Sequence, residues 1–260
     1  MSPTDELLPI LKRLKLTGLL STLDIRRTQA VEGNLSYEEF LLRIFCDEME
    51  RREAKQLKQR LNKANFEHAK TLEDFNFLFN PKIPKVKIVD LSTCNFIHKH
   101  DNVLLVGPSG VGKSHIAQSI GHRACRQGYS TVFVTAQKMF ATLKAARADD
   151  SYERVMGNLS KPCLLIIDDL GLSPLCNNEP VDLHELIKSR YENGSTIITS
   201  NRAVEEWYPL FNNPLLASAA MDRLLHHVHV IELEGDSYRT SQRSPASDLR
   251  VDESAISAHP

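Results

Sequence analysis

The sequence predicts an α/β fold, a parallel sheet with helices on both faces, preceded by a small all-helical N-terminal domain. Two observations carry this. From residue 102 onward, five short apolar runs alternate with segments of helical periodicity, the pattern of strand–helix–strand units. Before residue 70, apolar residues recur at helical spacing and strand signals are few.

The N-terminal helices come first. Thr4 is a candidate cap for a helix with Asp5 and Glu6 in its first turn, where the helix dipole favours acids. Leu7, Leu8, Leu11, Leu14 and Leu19 continue its apolar stripe, and Gly18 is expected to end or bend it. A second helix is expected from Leu23 to Val31, stopped by Gly33-Asn34. Ser36 then caps a third, and Glu39 completes a capping box. Phe40, Leu41, Ile44 and Phe45 are its expected inward face, and it runs on into a basic stretch.

Residues 71–100 read as a connector broken by Pro81 and Pro84. The first strand is Val103-Leu104-Leu105-Val106, wholly apolar, as suits a strand covered on both faces. Similar runs follow at 131–134, 163–167, 195–199 and 228–233. Helices are expected between them near 115–127, 137–147, 181–193 and 215–226. The resulting domains are 1–70 helical, 71–100 connector, 101–240 α/β, and 241–260 a Ser-rich, charged tail read as disordered.

Bulk composition sets bounds. The chain has 260 residues, 42% hydrophobic and 25% charged, enough for a full core without disulfide staples. Net charge is −1, so any nucleic-acid surface has to be a local basic patch. The five cysteines are scattered, with neither zinc-ligand spacing nor a disulfide framework. The polar N-terminus is no signal peptide, and no apolar run approaches the roughly 18–20 residues that span a bilayer. A cytoplasmic protein without membrane contact is expected.

The chemistry begins after the first strand. Gly107-Pro108-Ser109-Gly110-Val111-Gly112-Lys113-Ser114 matches G-x-x-x-x-G-K-[ST] between a buried strand and a helix, the context a phosphate-binding loop requires. Glycines let the backbone close around phosphates, and amides at the helix start form an anion nest. Lys113 neutralises the outer phosphates of ATP and the Ser114 hydroxyl ligates Mg²⁺. The second half of such a site is an acid at the end of another buried strand, which Leu164-Leu165-Ile166-Ile167-Asp168-Asp169 supplies. Asp168 is expected to hold Mg²⁺ through its water shell, and Asp169 to polarise the attacking water. Asn201, after a third strand, is placed to orient water, although Ser-Asn after a strand is commonly just a loop. Arg223 and Arg239 are candidate γ-phosphate contacts, in cis or on a neighbouring subunit; taken alone, each reads more simply as a surface salt bridge.

GPSGVGKSH, LLIIDDLG, RYENGSTIITSNR, MDRLLHH and GDSYR, in that order, resemble the IstB-like ATP-binding proteins, AAA+ helper ATPases of two-gene insertion sequences related to DnaC-type helicase loaders. LLPILKRLKLTGLL, SYEEFLLRIFCDEMERREAKQLKQRL and TLEDFNF resemble the family's helical leader, so the likeness covers nearly residues 5–240. It implies an AAA+ P-loop NTPase sheet, Asn201 as sensor 1, Arg223 as an arginine finger reaching a neighbour's ATP in a homo-oligomer, and Arg239 as sensor 2. Most AAA+ proteins carry Glu at the position of Asp169. The shorter carboxylate stands farther from the γ-phosphate, and slow or partner-stimulated hydrolysis is expected.

The basic segment 51–63 completes the reading. Arg51, Lys55, Lys58 and Asn62 share one helix face, with Arg52 and Lys63 beside it. Such a stripe can track DNA phosphates without reading sequence, and from the residues alone an ordinary solvated face is as good a reading. The expected function is an ATP-dependent DNA-binding ATPase that assembles on target DNA and engages the transposase of the same element. A helicase loader is the alternative from the same motifs. A nucleotide-dependent adaptor with little turnover is a third, and a small-molecule kinase would need an arginine-rich lid that the sequence lacks.

Overall fold

The computed structural model describes residues 3–68 and 70–238, with side chains from Glu6 onward. Three helices come first: α1 (Pro3–Arg13), α2 (Thr17–Glu32) and α3 (Tyr37–Ala64). The break between α1 and α2 falls at Lys15, in the left-handed region at φ 57°, rather than at Gly18, which is buried in the first turn of α2. Gly18 is there for space. The Glu48 carboxylate of α3 caps α2 by accepting from the amides of Gly18 (2.6 Å) and Leu19 (3.3 Å), and a Cβ on Gly18 would stand 2.7 Å from that oxygen. Helix α1 begins at Pro3, so Thr4 lies inside it and is not its cap. Ser36 and Glu39 do form the expected capping box of α3.

Leu11, Leu19, Leu23 and Ile44 form a small core between these helices, with Phe40 packed against it. Leu41 and Phe45 do not join it and are each 50% exposed. The first half of α3 packs chiefly against α2, which covers the Phe40–Ile44–Glu48 line and leaves the next row in solvent. At 28 residues α3 is about 42 Å long, so its last turns reach the α/β domain. There Arg60 Nε donates to the Cys125 carbonyl at 2.9 Å and Ala64 is fully buried.

The connector is more ordered than its prolines suggest, since Pro84 precedes a helix rather than ending one. It contains α4 (Lys85–Ser92) and α5 (Asn95–His98). The α/β domain then runs β1 (Asn102–Val106), α6 (Lys113–Arg126), β2 (Thr131–Thr135), α7 (Ala136–Ala148), α8 (Tyr152–Ser160), β3 (Leu164–Asp168), α9 (Glu179–Arg190), β4 (Ser195–Ser200), a 3-10 segment (Val204–Leu210), α10 (Pro214–Leu225) and β5 (Val228–Glu232). Helix α8 and the 3-10 segment are additions to the expected elements. All four strand pairings are parallel, in the order β2-β3-β4-β1-β5.

The apolar runs are explained by two cores. Leu104, Leu165, Ile167 and Ile198 face one packed against α7 to α10; Val103, Leu105, Ile166 and Ile197 face the other, against α4, α5 and α6. Alternate residues of one strand therefore enter opposite cores, and every position of β3 and β4 is buried. All five cysteines are free thiols. Among the described residues, no helix is long and apolar enough to cross a membrane. The tail expected to be disordered lies outside the described residues.

Candidate nucleotide site

The phosphate loop joins β1 to α6, and two of its glycines are dictated by geometry. Gly107 has φ 143°, and a Cβ there would meet the Leu233 carbonyl oxygen at 2.0 Å. Gly112, at φ 101°, sits immediately before α6, and a Cβ would meet the Phe75 ring at 2.6 Å. No other residue fits either position. Lys113 opens α6 and is only 4% exposed. Its Nζ donates to the carbonyls of Gly107 (2.8 Å) and Pro108 (2.7 Å), which holds the ammonium across the loop.

The acids are set by β3 and its neighbour β4. Asp168 closes β3 and is 3% exposed; the Thr199 hydroxyl of β4 donates to its Oδ1 at 2.5 Å. The same hydroxyl accepts from the Asp169 amide at 2.9 Å. Asp169 is in the left-handed region, φ 59°, so the chain leaves strand geometry there. One carboxylate thus stays buried and the next lines an open cavity. Strand β4 lies between β1 and β3, so its end, Asn201, is placed between the phosphate loop and the acids, and it lines the same cavity. Ser200 braces this edge: its hydroxyl donates to the Leu170 carbonyl and its own carbonyl accepts from Gly107 N.

The cavity, about 250 Å³, is bounded by residues 109–115 of the loop and α6, and by Asp169 and Asn201. Its other wall was not anticipated from sequence: Phe75, Phe79 and Asn80 of the connector, with Tyr238 beyond β5. Phe79 and Tyr238 meet edge to face at 4.9 Å, the Asn80 amide donates to the Glu234 carbonyl, and Tyr238 N donates to the Gly110 carbonyl at 3.1 Å. His115 Nε2 stands 2.9 Å from the Thr71 carbonyl, with its ring 5.2 Å from that of Phe75. The available signal was Phe75, Phe77 and Phe79 at alternate positions in a segment otherwise read as a linker.

Arg223 is elsewhere. It lies in the last turn of α10, donates from Nη1 to the Ala219 carbonyl at 2.7 Å, and lines a separate cavity with Asn102 and Thr196, which start or lie near the start of β1 and β4. The phosphate loop leaves the opposite end of β1, a five-residue strand about 16 Å long. Of the two readings of Arg223, contact with its own γ-phosphate is therefore the one the fold does not build. Arg239 lies outside the described residues. Arg51, Arg52, Lys55, Lys58 and Lys63 are all exposed on α3; Arg52 pairs with Glu48 at 2.7 Å. Arg60 and Ala64 face the α/β domain, so Arg51, Lys55 and Lys58 point away from it.

A parallel β2-β3-β4-β1-β5 sheet with a phosphate loop after β1, acids at the end of β3 and an amide after the intervening β4 defines an AAA+ P-loop ATP-binding domain. The family model described as "IstB-like ATP binding protein" matches residues 9–246, and the chain belongs to that family. It is 40% identical, over 90% of this chain and 93% of the relative, to an insertion-sequence ATP-binding protein of Mycobacterium tuberculosis. It is 34% identical, over 97% and 95%, to the IS21 insertion-sequence ATP-binding protein of Pseudomonas aeruginosa. Among solved structures, DnaI matches with TM-score 0.55 at 21% identity over 65% of this chain and 90% of that one. The DnaC helicase loader matches with TM-score 0.52 at 20% identity over 68% and 99%. At these identities the two structures share the fold.

Proposed function

We propose that this protein is a Mg²⁺-dependent ATPase that assists transposition of an insertion sequence, assembling as an oligomer on DNA and engaging the element's transposase. The observation that carries the reading is the split site. Lys113, Asp169 and Asn201 converge at the carboxyl ends of the central strands, and Arg223 lies at their amino ends, away from its own site; in an oligomer it would serve a neighbour's triphosphate. The insertion-sequence relatives match over nine-tenths of the chain, whereas the helicase loaders share only the fold, which favours a transposition helper over a loader.

The loop amides and Lys113 hold the triphosphate tail. Ser114 and Asp168, a hydroxyl and a carboxylate, are the oxygen donors a hard cation takes, and Asp168 would hold Mg²⁺ through water. A Mg²⁺ ion held by these two residues would supply positive charge beside the phosphoryl group as it is transferred. Asp169 accepts a proton from the water that attacks the γ-phosphorus and Asn201 orients that water, while the bond from the γ-phosphorus to the β–γ bridging oxygen breaks and ADP leaves with that electron pair. Arg223 of one copy stabilises the transition state on the next. The exposed Arg51, Lys55 and Lys58 face of α3, with Arg52 and Lys63, supplies sequence-independent contacts to DNA phosphates, and the helical segment 1–70 carries this and partner contacts.

Phosphate release on duplex DNA, paired with sedimentation, tests the reading. Asp169→Asn should bind nucleotide and lose turnover. Arg223→Ala should bind nucleotide yet fail in hydrolysis, and mixing it with Asp169→Asn should restore part of the turnover through mixed interfaces. Absence of rescue, together with normal Arg223→Ala activity, would refute a finger acting between subunits.

A further inference from the structure

Behind the connector, on the other side of Phe75 from the nucleotide cavity, lies a larger groove of about 430 Å³ between the connector, α4 and α6. Its charge is one-sided: Lys85, Arg123 and Arg126 line it, and Glu73 is the one acid among its lining residues, already 3.7 Å from Arg123. Its surface is also apolar. Phe77 lies under Lys85, whose Nζ is 5.4 Å from the ring centroid, and Val89 is 48% exposed. Leu72 and Phe77, which line it too, are only partly buried. Arg123 and Arg126 also complement the dipole at the end of α6, which accounts for two cations. It does not account for Lys85 or for the exposed Val89 on the same face of α4.

We infer that this groove docks an acidic segment of a partner protein that carries aliphatic anchors. Carboxylates would meet Lys85 and Arg126, and Leu or Ile side chains would cover Val89, Leu72 and Phe77, apolar area that gains free energy when removed from water. A single nucleic-acid strand fits less well. Its bases need open aromatic faces, and the rings of the groove are already engaged, Phe77 by Lys85, His122 by Phe66, and Phe75 by Phe77 and His115, while the exposed Val89 would stay in water beneath a polyanion.

The groove is coupled to the nucleotide cavity, a step that rests on the ATP-site reading. The Phe75 ring lines both, abuts Gly112, and touches His115 of the first turn of α6. A segment seated against Phe75 therefore presses on the phosphate loop from behind.

The experiment selects random dodecapeptides displayed on phage against the full-length protein, with counter-selection on Lys85→Glu/Arg126→Glu. Recovered peptides, fluorescein-labelled, are titrated by anisotropy without nucleotide. The expected result is enrichment in Asp or Glu with Leu, Ile or Val, and binding weakened about tenfold or more by the double variant. A single cooperative melt, lowered by a few degrees at most for the lost dipole partner at the end of α6, and unchanged fluorescent-ATP affinity show that the double variant folds. Peptides without acidic and aliphatic character, equal binding to the variant, or a labelled dT20 strand that loses affinity in the variant would overturn the docking proposal. With the peptide saturating, the fluorescent-ATP dissociation rate should change at least twofold. An unchanged rate removes the coupling through Phe75. Lys113→Ala, which should abolish nucleotide binding but not peptide binding, separates failure of the ATP site from failure of the groove.

Discussion

Replacing Thr199 by valine removes one hydroxyl and keeps the shape of the side chain. That hydroxyl serves both acids of the site, donating to Asp168 Oδ1 at 2.5 Å and accepting from the Asp169 amide at 2.9 Å. Thr199 is fully buried and Asp168 is 3% exposed, so water cannot replace the lost partner of the carboxylate. A hydrogen bond to a charged group contributes about 1.5–3 kcal/mol, and an amide left unpartnered costs about 1–3 kcal/mol. Asp169 is only half-buried, so its amide takes the low end. The expected destabilisation is therefore about 3 kcal/mol, read as a shift of the urea midpoint with unchanged slope. Turnover should fall with it, because the left-handed turn at Asp169 loses the bond that fixes where its carboxylate points. The Mg²⁺ concentration for half-maximal activity should rise as Asp168 loses its brace. A loss of stability under about 0.5 kcal/mol with normal phosphate release would show that Thr199 does not organise the acids.

Two further predictions concern the scaffold. Arg190 is 2% exposed and donates to Thr196 Oγ1 and to the carbonyls of Leu159, Ser160, Pro162 and Ser195, while burial pushes its guanidinium down to about 10; Arg190→Met should leave those carbonyls unpaired and cost about 3 kcal/mol or more in a denaturant titration, and a milder effect would mean that water fills the gap. In the helical module, the hydrogen bond from Arg26, with a smaller one from Thr22, holds the Asp47 carboxyl at about 2. Its folded value lies below its unfolded value, so its contribution is complete above pH 4 and is lost as pH falls toward 2; Asp47→Asn should flatten the helical circular-dichroism loss in that window, and an identical acid transition in the variant would remove the ion pair from the account.

The phosphate loop and the acid pair were legible in the chain because each is a contiguous string next to a continuous apolar run. A strand covered on both faces has to be apolar throughout, so its ends, and the polar residues just beyond them, stand out. Ser36 and Glu39 were legible for a similar reason, since a capping box spans only four residues. The errors fell where a residue's partner is remote. Gly18 reads as a helix end until Glu48, thirty residues away, arrives to cap α2. Leu41 and Phe45 read as core until the first half of α3 is seen to be covered on one side alone. Pro81 and Pro84 read as a linker, yet α4 and the aromatic wall of the nucleotide cavity are built there.

By itself the sequence determined the strands, the phosphate loop, the two acids and the family likeness, because those depend on hydrophobic period and on backbone freedom over a few residues. Tertiary structure alone decided that β4 lies between β1 and β3, that Phe75 separates two cavities, and that Arg223 stands at the opposite end of the strands from Lys113. Strand order and the packing of the connector are set by contacts between residues tens of positions apart, and no local periodicity encodes which distant surfaces will meet.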